Sequence, residues 1–216
     1  MKKPIVAATL LALAGMATAP LGAQEINLNA RLVMAARQDD LARVTALVTA
    51  GAKVDSRTRS GDTPLNLAAR QGDLAMARLL LAHGAQVDLA NAAQVTPLMA
   101  AAFEGHDAVV KQLIQAGARV DALDQLGKSA MVYAAGNGHD TVVQTLLDAG
   151  VAVDQRYRNE LTALMWAAGA GHAEVVKVLL RHHADPALRD NRGLTALQIA
   201  QGASHPEIAL LLAAER

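Results

Sequence analysis

The chain has 216 residues, in which 20 basic side chains balance 20 acidic ones and cysteine is absent. The missing cysteine excludes disulfides, thiolate metal ligands and a cysteine nucleophile, and the balanced charge leaves no basic excess for following a nucleic-acid backbone. Since aromatic residues make up only 2% of the chain, we expect short helices packed closely on alanine, leucine, valine and methionine.

The first 23 residues have the layout of a secretory signal peptide. Lys2 and Lys3 precede an apolar run over residues 5–14, and small residues continue to Ala23 before the polar Gln24. The apolar run is too short to span a bilayer comfortably, although an uncleaved membrane anchor is the alternative. We expect cleavage after Ala23, no stable membrane anchor afterwards, and a product located in the bacterial periplasm or secreted beyond it.

From residue 29 onward the sequence repeats with a period of 33 residues. Hydroxyl side chains and two sets of glycines keep this spacing. They are Thr63, Thr96, Ser129, Thr162 and Thr195; Gly72, Gly105, Gly138 and Gly171; and Gly51, Gly84, Gly117 and Gly150. A regular period of this length indicates a solenoid of stacked structural units.

Each marker has a structural role in a helical unit. A Thr or Ser before a helix accepts a hydrogen bond from an unpaired backbone N–H. Pro64 and Pro97 suit the first helical position, where a missing N–H costs nothing. The glycines from Gly51 to Gly150 follow a second helix, where a left-handed cap is favoured. The unit is therefore predicted to be a helix, a tight turn, a second helix and a projecting loop.

The same motifs resemble the ankyrin-repeat family. Thr-Pro-Leu at positions 63 and 96 is followed by paired alanines, while Gly-His at positions 105, 138 and 171 and the valine pairs after them match that family's turn and second helix. The resemblance implies an all-α fold, an α-solenoid of six ankyrin repeats with helix-turn-helix units and short β-hairpin loops. One ankyrin domain over 24–216 would contain units at approximately 29–54, 58–87, 91–120, 124–153, 157–186 and 190–216.

The histidines that recur with the period do not suit a metal site. One stands in each of four units, at His106, His139, His172 and His205, and stacked units would hold neighbours roughly 10 Å apart. Zinc needs ligands about 2.0–2.1 Å from one ion, so we expect no metal. We predict that these histidines accept a hydrogen bond at the start of a helix, as Asp40 and Asp73 would at the same position.

The other recurring polar residues are predicted to be scaffold. Aspartates also occur once per unit, too far apart for paired acid–base chemistry, and we expect them to fix turns; they are Asp55, Asp88, Asp121 and Asp154. His183 replaces the capping glycine, which predicts a local distortion between units five and six. Since no nucleophile motif and no phosphate-binding glycine loop is present, we expect no catalytic residue and no cofactor.

The four aromatic residues are the candidate partner-binding residues. Projected onto the ankyrin template, Tyr133 and Trp166 share a first-helix position that faces the concave groove, Phe103 borders that groove, and Tyr157 lies in a hairpin finger. The alternative is that the rings only pad contacts between adjacent first helices. Ala100 occupies the Tyr133 position one unit earlier, so the fold does not require a ring there.

Arginines at the predicted finger tips extend this candidate surface. Arg156 and Arg158 lie in the fourth finger, and Arg189 and Arg192 lie in the fifth. Tip residues are often merely solvated, which is the alternative. Interface hot spots are nevertheless enriched in Trp, Tyr and Arg, so the two sets together predict a groove with an aromatic floor and an arginine-bearing rim.

The resemblance implies a non-catalytic protein–protein interaction module that binds through the concave groove and hairpin fingers. We expect this chain to be a monomer and not an enzyme. We expect its partner to be a protein and not a nucleic acid. Two alternatives stay open, namely a secreted effector that binds host proteins, and an accessory factor for a periplasmic enzyme in oxidative-stress defence.

Overall fold

The computed structural model describes residues 21–214, with side chains from residue 27 onward. The described residues form twelve α-helices, and Arg158–Glu160 form a single 3₁₀ turn. The helices are α1 Leu21–Arg37, α2 Leu41–Thr49, α3 Pro64–Gln71, α4 Leu74–Ala82, α5 Pro97–Glu104, α6 Asp107–Gln115, α7 Ala130–Asn137, α8 Asp140–Asp148, α9 Ala163–Ala170, α10 Ala173–Arg181, α11 Ala196–Gly202 and α12 Pro206–Ala214. The predicted signal peptide lies outside the described residues except for its last three residues, so it stays a prediction.

The helices are arranged as a two-layer stack. Each odd-numbered helix packs against the even-numbered helix that follows it, which makes six pairs within the described residues. Odd-numbered helices also pack on one another in sequence from α1 to α11, and even-numbered helices pack on one another from α2 to α12. This arrangement confirms the predicted all-α solenoid of helix-turn-helix units.

The predicted caps form at the start of the first helix in units two to six. The side chains of Thr63, Thr96, Ser129, Thr162 and Thr195 each accept a hydrogen bond from the backbone N–H three residues on. All five caps are buried, so each hydroxyl satisfies a donor that water does not reach. Pro64 and Pro97 occupy the first helical turn, as predicted.

Small residues form the core between the two layers. Paired alanines on the first helices are fully buried at 68–69, 101–102, 134–135 and 167–168. Valine pairs on the second helices, such as Val142 and Val143, are buried opposite them. Because the alanine side chain is small, neighbouring helix backbones approach each other and the units stack closely. The apolar area buried between the units supplies most of the stability of such an array.

Three of the recurring histidines do not cap helices, so the capping prediction was wrong for them. No side-chain cap bond forms at His106, His139 or His172, whereas Asp40 and Asp73 do cap their helices. Each ring instead reaches back to the preceding unit, where Nε2 lies 2.8–3.0 Å from a backbone carbonyl oxygen of Arg70, Phe103 or Gly136. The long imidazole spans a gap that a short aspartate cannot, and the histidines therefore join neighbouring units.

The recurring aspartates also join units rather than fixing local turns. The carboxylate Oδ1 atoms of Asp55, Asp88 and Asp154 accept hydrogen bonds at 3.0–3.2 Å from backbone N–H groups 31 residues further along the chain. Their scaffold role stands, but the predicted turn is replaced by a bond to the next unit.

The predicted distortion at His183 is absent. The residue has a φ of 63°, in the same left-handed region as Gly117 at 88° and Gly150 at 90°. The backbone N–H of the following Ala184 bonds to the carbonyl of Leu179, just as in the glycine-capped units. The unit keeps its cap and places a non-glycine residue in a conformation that costs about 1 kcal/mol or more.

Five closed turns project from the stack between the helix pairs, and we call them fingers one to five. They cover residues 58–62, 91–95, 124–128, 157–161 and 190–194. In each, the first residue donates to the carbonyl of the fifth, and the fourth donates to the carbonyl of the first, at 2.9–3.0 Å. No β-strand forms in the described residues, so the expected β-hairpin loops are tight turns instead, because two bonds per finger are too few to extend a ladder.

Candidate functional site

Two positions on the first helices determine the shape of the face that the fingers overhang, which we call the groove face. The first position carries Met34, Leu67, Ala100, Tyr133, Trp166 and Ile199, and the position three residues on carries Arg37, Arg70, Phe103, Gly136, Gly169 and Gly202. Residues three apart lie on the same face of a helix. Large side chains therefore cover this face as far as Phe103, and glycines leave it open beyond that point.

The missing side chains leave a cavity of about 380 Å³ beside the two largest rings. Its walls include Phe103, Tyr133, Trp166 and Ile199, and we call it the aromatic pocket. A Cβ atom added at Gly169 would lie 3.0 Å from Ile199 Cγ2, so that glycine also permits close packing at the floor. The volume falls within the range of about 300–1,000 Å³ that ligand pockets occupy.

The rings in the aromatic pocket form one connected cluster with a cation in it. Phe103 and Tyr133 meet edge to face, with ring centroids 5.5 Å apart and planes at 74°. The ammonium of Lys128, at the end of finger three, lies 5.4 Å from the Tyr133 centroid and 5.2 Å from the Trp166 ring. Both distances suit a cation–π interaction, and among the described residues no carboxylate lies within ion-pair distance of this ammonium.

Tyr133 is fixed by a hydrogen bond to the base of finger three. Its hydroxyl donates to Asp124 Oδ2 at 2.5 Å, while Asp124 Oδ1 accepts from the backbone N–H groups of Leu126 and Lys128 at 2.8 Å. Burial, then this bond and the charge of Asp124, raise the pKa of Tyr133 well above its ordinary value of 10.0. The hydroxyl is therefore held protonated as a donor, and Asp124 is a buried turn residue.

Trp166 carries a polar atom that the fold does not satisfy. Its Nε1–H is buried and has no hydrogen-bond partner among the described residues. Leaving a buried donor unpaired costs about 1–3 kcal/mol. The ring thus has a feature that packing between units does not explain, although its other side packs against the hydrophobic core.

Three of the four candidate arginines bind the fingers themselves. Arg156 donates to the carbonyl of Arg189 at 3.4 Å and pairs with Glu160 at 2.9 Å. Arg189 donates to the carbonyl of Gly193 at 2.7 Å, and Arg192 pairs with Asp190 at 2.7 Å.

Arg158 differs from the other three arginines. It is exposed and has no charged or hydrogen-bonding side-chain partner in the described part of the chain. It is therefore the member of the predicted rim whose guanidinium is left available.

Tyr157 stands where the other fingers begin with a turn-forming side chain. Asn91, Asp124 and Asp190 occupy this position and accept two backbone N–H bonds each. A phenol cannot do so, and in finger four both Asn159 and Glu160 adopt left-handed φ values, 62° and 60°. The Tyr157 ring turns inward and is largely buried, which raises the pKa of its hydroxyl, and a hydrogen bond with Ser129 offsets this in part.

Neighbouring fingers are tied together except between fingers three and four. A backbone bond of 3.0–3.2 Å joins fingers one and two, two and three, and four and five. The equivalent bond, from the N–H of Arg158 to the carbonyl of Leu126, does not form. We call this the opened junction.

The opened junction also lacks the side-chain ties found elsewhere. Among the residues that the structure describes, Asp121 makes no bond to the next unit, unlike its three counterparts. Leu123 occupies the position from which Arg57 and Arg156 each donate to the carbonyl of the residue just before the next finger, a tie that Ala90 also lacks between fingers two and three. A cleft of about 300 Å³ lies at this junction, and Lys128 and Trp166 line both it and the aromatic pocket.

The structure thus divides the predicted site residues into three groups. Phe103, Tyr133, Trp166 and Arg192 line the aromatic pocket. Tyr157 and Arg158 line the adjoining cleft of the opened junction, whereas Arg156 and Arg189 lie outside both.

Sequence reasoning missed Lys128 and the glycines Gly136 and Gly169. Both signals were present in the sequence. Glycine replaces Phe103 at the equivalent position of the next two units. Lys128 is the single basic residue among the five equivalent positions at the ends of the fingers, which are Asp62, Val95, Lys128, Leu161 and Leu194.

Other kinds of site find no support in the described residues. Within residues 21–214, no group of three or more His, Asp or Glu side chains is placed to hold a metal ion. Over the same range, none of the helices combines the length and the hydropathy that crossing a membrane would require.

Capped helix pairs, back-reaching histidines and projecting fingers define the chain as a helical repeat protein with an open groove face. A family model described as ankyrin repeats (3 copies) matches residues 32–124, 86–157 and 131–216. The chain belongs to the ankyrin-repeat family, whose repeats are generally protein–protein interaction modules. The search of curated proteins returned no match.

Proposed function

We propose that this chain is a non-catalytic recognition module that binds a protein partner through the groove face of units three to six. The observation that carries the proposal is the aromatic pocket, where three of the four aromatic side chains of the chain meet beside an open floor. Phe103 is 47% exposed there. Tyr and Trp in partly dry pockets are the residue types that dominate binding energy at protein interfaces.

Packing between units does not account for this cluster. The same first-helix position is filled by Met34, Leu67, Ala100 and Ile199 in the other units, so four aliphatic residues serve the stack equally well. The unpaired Trp166 Nε1–H is a further cost, and Gly136 leaves the pocket open although a Cβ atom added there would make only an ordinary contact, 3.8 Å from Trp166 Cε3. A binding role explains the exposed Phe103 ring and the open floor beside it.

Site-specific photocross-linking tests this proposal. A photoreactive phenylalanine analogue is placed at Phe103 on the groove face or, as the control, at Lys111 on the outer helix α6, whose side chain is 58% exposed. We expect a discrete partner adduct from position 103 and none from position 111. Equal adducts from both positions, or adducts from position 111 alone, would contradict binding at the groove face.

We further propose that the chain is exported to the bacterial periplasm. The support is the basic, apolar and small-residue order of residues 1–23. Cell fractionation and N-terminal sequencing of the product test it, with a mature chain starting at Gln24 in the periplasmic fraction as the expected result. A full-length chain in the cytoplasmic fraction contradicts the proposal, and a mature chain in the culture medium favours secretion instead.

A further inference from the structure

The opened junction leaves main-chain groups without partners at the surface. At the other three junctions, the N–H of the second finger residue bonds to a carbonyl of the preceding finger. At the opened junction, the N–H of Arg158 and the carbonyl of Leu126 make no such bond, and Leu126 is 57% exposed. An extended chain can supply both a carbonyl and an N–H to such a gap, as in recognition by strand addition.

The same junction holds two cations that have no anionic partner. Lys128 contacts only the rings of Tyr133 and Trp166 through its ammonium, and Arg158 has no partner for its guanidinium in the described part of the chain. Both side chains line one cleft of about 300 Å³. Asp124, the buried acid at the base of finger three, is occupied by Tyr133 and two backbone N–H groups, so it does not neutralise them.

This arrangement selects against a basic ligand. Lys128 already occupies the space between the two ring faces, so a second cation would be repelled instead of attracted. A carboxylate would meet two unpaired charges beside a surface of low polarity, where charge-assisted hydrogen bonds are strongest. The aromatic pocket, which shares Lys128 and Trp166 with the cleft, offers an apolar floor directly next to it.

We propose that the aromatic pocket and the opened junction together hold one extended segment of the protein partner, with an acidic side chain beside a large apolar one. The apolar side chain fills the aromatic pocket, the Asp or Glu carboxylate lies between Lys128 and Arg158, and the segment's main chain bonds to Arg158 and Leu126. This inference rests on the proposed binding function of the groove face and adds the chemistry of its ligand.

Selection from a displayed library of random, unstructured peptides tests the ligand chemistry without assuming a sequence. Selections are run against the wild-type protein and in parallel against Trp166→Ala. We expect peptides that bind only the wild type to be enriched in Asp or Glu within two positions of Leu, Ile, Phe or Tyr. Synthetic copies without tryptophan then report their binding through the fluorescence of Trp166, the single tryptophan of the chain.

Matched charge removal tests the two cations. The double variant Lys128→Gln/Arg158→Gln is compared with Arg43→Gln/Lys111→Gln, which removes the same charge from the outer helices α2 and α6. We expect the first pair to weaken binding of the acidic peptides about fivefold or more, since each exposed ion pair contributes a few-fold and the two effects multiply. We expect the second pair to change binding less than twofold. Circular dichroism of both variants checks that the helices are retained.

The outcomes separate the two proposals. If the selected peptides need Trp166 but are basic or uncharged, or if both double variants weaken binding equally, the acidic ligand is wrong and the groove stands. If no peptide prefers the wild type over Trp166→Ala, the groove face itself fails as the binding site. Enrichment of acidic–apolar peptides together with a selective effect of the first double variant supports both.

Discussion

Tyr133 links the aromatic pocket to finger three through one hydroxyl group. The hydroxyl donates to Asp124, which also closes the turn of the finger by accepting from two backbone N–H groups. The ring of the same residue contacts Phe103 and the Lys128 ammonium. A single residue therefore sets the position of both the pocket wall and the cation above it.

The raised pKa of Tyr133 predicts a stability contribution that alkaline pH removes. Because the pKa of the folded state lies above the ordinary value of 10.0, the contribution is complete below pH 10 and is lost as the pH rises through the pKa of the folded protein. We expect Tyr133→Phe to lower the free energy of unfolding by about 1 kcal/mol at pH 7 and the difference from wild type to shrink above pH 10.

Urea denaturation of both proteins at pH 7, 9 and 10.5 measures this effect. Tyr157 is present in both proteins, so its own raised pKa cancels in the comparison. A difference that stays constant or grows above pH 10 would mean that the Tyr133 hydroxyl is not held protonated by the fold.

His183 has a left-handed backbone conformation at a position where most other units have glycine. The φ of His183 is 63°, in the region where glycine is favoured. His83, by contrast, has an ordinary φ of −94° and lies one residue before a capping glycine. We expect His183→Gly to raise the free energy of unfolding by about 0.5–1 kcal/mol, since the relief of strain exceeds the entropy that glycine loses on folding. The same change at His83 should lower it by about 0.5–1 kcal/mol.

Thermal and urea denaturation of the two variants give the comparison. Because the two variants are expected to change the free energy of unfolding in opposite directions, the comparison does not depend on any general effect of losing a histidine. Destabilisation by His183→Gly would show that the imidazole makes a favourable contact outweighing its backbone strain.

At the scale of the element, the turn between the two helices of a unit depends on a glycine for two reasons. Gly138 has a φ of 82°, and a Cβ atom added there would lie 2.7 Å from His172 Nδ1 in the next unit. Gly150 has a similar φ of 90° but nothing within 4 Å of an added Cβ. The two positions therefore separate backbone strain from contact with the neighbouring unit.

We expect Gly150→Ala to lower the free energy of unfolding by about 1–2 kcal/mol through backbone strain alone. We expect Gly138→Ala to lower it by about 1 kcal/mol more. The additional cost arises because the new methyl displaces the His172 ring and weakens its 3.0 Å bond to the carbonyl of Gly136. Urea denaturation measures both. In a His172→Ala background the additional cost should disappear, and its persistence would mean that the turn itself, not the histidine, excludes a side chain.

The fingers show which element-level features can be predicted from sequence. Asn91, Asp124 and Asp190 are typical turn-forming residues, and the structure uses all three in that way. The sequence shows that Tyr157 replaces the turn-forming residue at the first position of finger four, but it does not show the structural consequence. Whether a phenol turns outward to bind or inward to pack depends on the space left by the next unit, which the sequence of one finger does not contain.

At the scale of the whole molecule, the repeat made the fold predictable. Thr63 and Gly84 each satisfy a backbone requirement that depends only on near neighbours along the chain. The local pattern therefore predicts the helix pairs and their caps correctly. Contacts between units were predicted less well, because His139 and Asp88 bond to groups more than 30 residues away, and local patterns carry no information on such distances.

The candidate site divides along the same line. Phe103, Tyr133 and Trp166 were predicted together because one helical position and its neighbour define a face. Lys128 and the opened junction were not, since they depend on ties that are missing between two loops. The molecule thus combines a regular stack with one irregular junction, and the two unpaired cations line the cleft there, directly beside the aromatic pocket.

The dissociation constant of the partner captured through Phe103 tests the central claim most directly. It is measured for wild type, for Trp166→Ala and for Met34→Ala, which alters the same helical position in unit one, where the side chain is 49% exposed. We predict that Trp166→Ala raises the dissociation constant about 30-fold or more, equivalent to about 2 kcal/mol, that Met34→Ala changes it less than twofold, and that both variants remain helical. Unchanged affinity of a helical Trp166→Ala protein would contradict binding at this groove.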